Sequence, residues 1–145
     1  MQYKKIMCLH YGDARIGIAF SDFLQITANP YQIYKTVSKQ EDIKYITQLA
    51  HSNDVELIVI GMPYSMDGTA NARTEITKKF GELLENFSKI PVDYEDERLS
   101  SFEAEEILRE KKISPKERKK HLDMISAAII LDSYLKNKKR SKNGR

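Results

Sequence analysis

IMCLHYGDARIGIAFSD, residues 6–22, contains two short apolar runs rich in isoleucine, broken by Tyr11-Gly12-Asp13. Two β-prone runs around a glycine-containing turn predict a β-hairpin, with strands over residues 3–10 and 15–21. The first run ends on His10, so a titratable ring stands where a strand runs out.

Working outward, a third strand is expected over Tyr31 to Val37, after the punctuation of Asn29-Pro30. Ser38 then caps a helix that places Ile43, Ile46, Leu49 and Ala50 on one face. VELIVIGMP (55–63) is a continuous apolar run of buried-strand length, stopped by Gly61 and Pro63. A helix over about 70–87 carries Ile76, Phe80, Leu83, Leu84 and Phe87 at helical spacing. IPVDYED (90–96) reads as a short strand, after which Ser100 or Ser101 caps a helix to about Lys111. Ser114-Pro115-Lys116-Glu117 has capping-box spacing with proline at the first helical position. It opens a last helix through HLDMISAAIILDSYL.

The order is therefore β-β-β-α-β-α-β-α-α. Early strands joined by turns pair antiparallel, whereas strands separated by helices run parallel. The expectation is an α/β protein with a mixed five-stranded sheet flanked by helices, which is the order of a ribonuclease H-like fold.

A chain of 145 residues is near the usual size of one domain. Its 41% hydrophobic and 31% charged residues describe a soluble protein. No apolar run approaches the roughly 20 residues that cross a bilayer, and the N-terminus lacks a signal-peptide pattern, so a cytoplasmic location is expected. The single cysteine, Cys8, excludes an internal disulfide and a cysteine metal site and reads as a small core residue. Net charge is +3, but residues 111–145 carry +9 and the first 110 residues carry −6. A basic end on an acidic body suits a phosphate-rich partner, or else is a solvated, frayed terminus. Residues 1–137 are read as the domain and 138–145 as a basic, disordered tail.

In open α/β sheets, ligands gather beyond the carboxyl ends of the parallel strands. His10 stands at one strand end, and Asp96-Glu97-Arg98 at another. Asp123 lies within the apolar stretch of the last helix, sharing a face with Ser126, Ala127 and Ile130. A buried carboxylate there needs a partner or a metal; the alternative is an acid near a helix start, favoured by the macrodipole. Asp96 and Glu97 are equally open to pairing with Arg98 or capping the next helix. Carboxylates converging from these positions suit Mg²⁺ or Mn²⁺, since hard cations take oxygen ligands and metal pairs cleave phosphodiesters.

GDARIGIAFSD (12–22), IVIGMPYSMDGTANAR (58–73), VDYEDERLSSFEAEEIL (92–108) and LDMISAAIILDSYL (122–135) resemble, in order and spacing, four signature blocks of one family. This is the bacterial YqgF family, Holliday-junction-resolvase-like proteins described as pre-16S rRNA nucleases, and the resemblance covers about residues 5–137. It implies a ribonuclease H-like fold and a nuclease dependent on Mg²⁺ or Mn²⁺, a phosphodiester hydrolase maturing the 5′ end of the small-subunit rRNA precursor. The implied partners are structured RNA, ribosomal particles or branched DNA, with a monomer or weak homodimer and no membrane. The family's acidic triad carries over to His10, Glu97 (with Asp96 adjacent) and Asp123, and Arg15, Arg73 and Arg98 carry over as nucleic-acid contacts. Arg15 is equally readable as half of a surface ion pair.

His10 departs from the pattern, because the family has aspartate there. Neutral imidazole brings no negative charge and one available nitrogen. Three explanations stand: a degenerate site retained for RNA or ribosome binding, a working site with altered metal preference or a histidine base, or Asp13 reaching inward instead.

Overall fold

The computed structural model describes residues 3–143, with side chains described through Lys138. The described elements follow the expected order: β1 (Lys5–Tyr11), β2 (Arg15–Ser21), β3 (Ala28–Lys35), α1 (Lys39–Ser52), β4 (Val55–Met62), α2 (Ala72–Ser88), β5 (Val92–Asp96), α3 (Ser100–Glu110) and α4 (Pro115–Asn143). They build one five-stranded sheet in the order β3-β2-β1-β4-β5. Strands β1 to β3 pair antiparallel, and β4 lies parallel to β1 and β5.

Period-two alternation along β1 sorts the molecule into layers. Met7 and Leu9 point to one face, where they join Ile16, Ile18, Phe20, Ile58 and Ile60 beneath Ile43 and Ile46 of α1 and Phe80 and Leu84 of α2. Ile6 and Cys8 point to the other, where Ala19 and Val59 meet Ala127, Ile130 and Leu131 of α4. Cys8 is buried and free; burial pushes its thiol well above the usual range, so it acts as a small core residue rather than a nucleophile. The alternation continues to His10, which falls on the α4 face. No helix among the described residues is long and apolar enough to cross a membrane.

Four local expectations are corrected. Strand β3 starts at Ala28, ahead of Pro30, and ends at Lys35. It is an edge strand, where a residue without an N–H is tolerated, and a register shift between Ile18 and Ala19 accommodates it. Helix α2 begins after Asn71, whose side chain forms a capping box with Thr74. Its buried face is Thr77, Phe80, Gly81 and Leu84, whereas Ile76, Leu83 and Phe87 are exposed. Phe80 stacks on Tyr11 with ring centroids 4.1 Å apart, which fixes the helix rotation. Neither serine caps α3: its N-cap is Leu99, at φ 70°, with no side-chain cap hydrogen bond. That left-handed turn swings the chain from β5 into α3 while leaving Glu97 beside the sheet end. Helix α4, finally, is continuous across residue 138 to Asn143; residues 144–145 of the expected tail lie outside the described residues.

Candidate active site

Pairing register sets the floor of the site. His10 lies opposite Gly17 in β2, and Leu9 lies opposite Ile60 in β4, so Gly61 flanks His10 on the other side. Neither neighbour carries a Cβ, and other parts of the chain occupy the room. The backbone carbonyl of Asp123 rests against Gly17. Beside Gly61, a Cβ would meet Glu97 Oε1 at 2.7 Å and Ile130 Cδ1 at 2.8 Å.

These close approaches deliver two acids to one ring. His10 Nδ1 lies 3.0 Å from Glu97 Oε2, and Nε2 lies 3.7 Å from Asp123 Oδ1. The Nδ1 contact is not a well-formed hydrogen bond, and it becomes an ion pair when the ring is protonated. Asp123 Oδ2 in turn accepts from Arg15 Nε at 2.8 Å. The three central side chains are only 17%, 12% and 19% exposed for His10, Glu97 and Asp123, so their charges interact with little screening.

Burial is the largest influence on His10 and works against its charged form. The Glu97 contact and the charges of Glu97 and Asp123 outweigh burial and the opposing Arg73, so the pKa lies above the ordinary 6.5. A ring whose folded pKa exceeds its unfolded value contributes stability that is full below the unfolded pKa and is lost as pH rises through the folded one. Urea unfolding at about pH 6 and about pH 9 should therefore show a larger loss of stability for the wild type than for His10→Asn. An equal loss in both would show that the ring's charge contributes nothing.

The remaining residues named from the sequence sort differently. Arg15 is an ion-pair partner of Asp123. Arg73 reaches the end of β1, donating to Tyr11 O at 3.0 Å and pairing with Asp13 at 2.6 Å. Asp13 is 90% exposed and does not reach inward toward His10. Asp96 does not join the acid cluster: it accepts from Arg98 N and Nε at 2.9 and 2.7 Å. Arg98 is correspondingly committed, since its Nη1 also donates to Met66 O at 3.1 Å and ties the loop before α2 to the end of β5. Asp123 sits well inside α4 rather than in its first turn, which removes the macrodipole reading. Sequence reasoning missed Gly61 as a site former. The available signal was a glycine inside an apolar strand, which marks a close approach.

The resemblance implied Mg²⁺ or Mn²⁺, and the donors test that implication. The strand-end ligand is an imidazole, both of its nitrogens face acids, and one oxygen of Asp123 is held by Arg15. Hard cations ask for several free oxygen donors. Among the described residues, no group of three or more His, Cys, Asp or Glu side chains is placed to hold a metal ion. The residues present do not fit a pair of hard cations.

The family model described as "RuvX: Holliday junction resolvase" matches residues 4–137. The chain is 43% identical over 131 residues to the "Putative pre-16S rRNA nuclease" of Halothermothrix orenii, covering 90% of this chain and 94% of that protein. Its identity to the protein of the same name from Carboxydothermus hydrogenoformans is 40% over 139 residues, covering 96% and 99%. Among solved structures, Thermus thermophilus RuvC in complex with a Holliday junction substrate aligns with a TM-score of 0.55 at 12% identity, over 94% of this chain and 96% of that one. The fowlpox virus resolvase, in a complex with Holliday junction DNA, aligns with a TM-score of 0.59 at 12% identity, over 92% and 97%. At such low identity these two establish the fold, a ribonuclease H-like sheet with its helices. With that fold, a family match along nearly the whole chain and relatives of 40% identity or more, the chain belongs to the RuvX Holliday junction resolvase family, a family of nucleases.

Proposed function

We propose that the protein is a phosphodiester hydrolase acting on the precursor of 16S rRNA, maturing its 5′ end. The observation that supports this reading is the convergence of positions 10, 97 and 123, distant in sequence, at the rim of the sheet. Glu97 holds the Nδ1 edge of the His10 ring, which leaves Nε2 beside Asp123 as the place where a proton is accepted or released. Arg15 and Arg73 bring positive charge to the same strand ends, where phosphates of a nucleic acid would lie. The basic stretch from Lys111 onward adds a salt-sensitive attraction to the polyanion.

Incubating purified protein with a 5′-extended 16S rRNA precursor and mapping the ends tests the reading. Wild type should generate one discrete 5′ end, and Glu97→Gln should slow that cleavage by about 100-fold or more. A precursor left intact by the wild type in every buffer would refute it.

A second reading draws on one specific observation, the imidazole seated between both acids. It makes the protein an RNA-binding factor that no longer cuts. The same assay separates the two: this reading requires saturable binding of the precursor without product, and a discrete cleaved end rules it out.

A further inference from the structure

We propose that the His10 ring takes the place of a divalent cation in this chain: it bridges Glu97 and Asp123, so the site keeps its shape without Mg²⁺ or Mn²⁺ and does not bind them. The inference goes beyond the nuclease reading and holds whether or not the protein cleaves RNA.

Three observations support it. First, the ring lies between the two acids, its nitrogens 3.0 Å from Glu97 and 3.7 Å from Asp123. A cation bonded directly to both carboxylates, with metal–oxygen distances of about 2.1 Å for Mg²⁺, would compete for the space the imidazole fills. Second, the charge that attracts a divalent ion is already offset at Asp123. Arg15 Nε sits 2.8 Å from Asp123 Oδ2, and the imidazole adds no negative charge in either of its forms. Third, the surroundings leave little slack. The Asp123 carbonyl is seated on Gly17, and Glu97 is seated against Gly61, on the two strands that flank His10. Moving the Asp123 backbone outward to admit a hydrated cation means lifting α4 from the sheet, because what rests on Gly17 is main chain. Mg²⁺ usually retains several of its waters, which raises that demand further.

An aspartate at position 10 removes the ring from the gap and adds a negative charge that the Arg15–Asp123 pair does not offset, giving three carboxylates around one gap. The substitution His10→Asp is therefore expected to create cation binding that the wild type lacks. This separates an excluding ring from a site that is merely unsuited to metal.

The test is an MnCl₂ titration of the full chain, with free Mn²⁺ followed by electron paramagnetic resonance, for wild type, His10→Asp and His10→Asn. Thermal unfolding with and without Mn²⁺ runs in parallel. Wild type should show no saturable binding tighter than about 1 mM and no rise in Tm. His10→Asp should bind at least about tenfold more tightly and gain Tm on Mn²⁺ addition. His10→Asn, which removes the bridging ring while keeping a polar side chain, should melt below wild type without metal. Wild-type binding as tight as that of His10→Asp, at a site lost in Asp123→Asn, overturns the proposal. So does a folded His10→Asp that gains nothing, since the ring would then not be what excludes the metal. If His10→Asp does not fold, the wild-type titration and the His10→Asn melting temperature decide. Precursor cleavage by wild type that requires Mn²⁺ also overturns the proposal while sparing the nuclease reading. Failure to cleave in any condition ends the nuclease reading and leaves this result standing.

Discussion

Gly17→Val is expected to lower the unfolding free energy by about 3 kcal/mol or more and to separate Asp123 from His10. A side chain at this position would overlap the backbone carbonyl of Asp123 and crowd Met124 N at 3.0 Å. The obstacle is main chain within a helix, so no rotamer change relieves it, and α4 must move as a body. That helix supplies Ala127, Ile130, Leu131 and Leu135 to the second core cluster, so its displacement opens gaps over β1 and β2. Urea denaturation measures the loss, and chemical-shift perturbation of His10 reports the separation from Asp123. Retained stability together with an unmoved His10 resonance would mean that the helix does not rest on Gly17.

Gly61→Val should act on the site more than on the fold. Its Cβ would meet Glu97 Oε1 at 2.7 Å, Glu97 Cβ at 3.1 Å and Ile130 Cδ1 at 2.8 Å. These are side-chain atoms and can swing aside, so the stability cost is expected to be about 1–3 kcal/mol. The larger consequence is chemical. Glu97 contributes both a direct contact and a charge that raise the His10 pKa against the effect of burial. With Glu97 displaced, burial prevails and the pKa should fall below that of the wild type. Cleavage of the rRNA precursor should drop by about 100-fold or more, because the ring loses the group that orients it. An NMR titration of His10 checks the first outcome and the end-mapping assay the second. An unchanged titration curve would show that Gly61 does not govern where Glu97 points.

The two glycines were unequally visible in the sequence. Gly17 belongs to the hairpin quoted first, and a glycine inside a strand is a mark of close approach. Gly61 was read only as the stop of an apolar run, because what it makes room for is set by β5 and α4, which are remote in sequence. The α2 face shows the same difference. Ile76, Leu83 and Phe87 satisfy helical spacing, yet they are exposed, because the stacking of Phe80 on Tyr11 rotates the helix toward Thr77 and Gly81. Spacing identifies a helix but leaves its rotation to its neighbours. The serines before α3 matched the composition of caps, and the chain used a left-handed Leu99 instead, because the turn out of β5 has to satisfy tertiary geometry first.

Local chemistry alone determined the order of strands and helices, the mixed pairing of the sheet, and the placement of His10 at a strand end. Those features depend on side-chain alternation, turn residues and connection length, each legible within a few residues of chain. Only the tertiary structure decided which charges meet. Glu97 and Asp123 close on His10, because strand register and the seating of α4 on Gly17 bring together groups that no sequence interval relates. This settles that it is Asp96, not Glu97, that pairs with nearby Arg98.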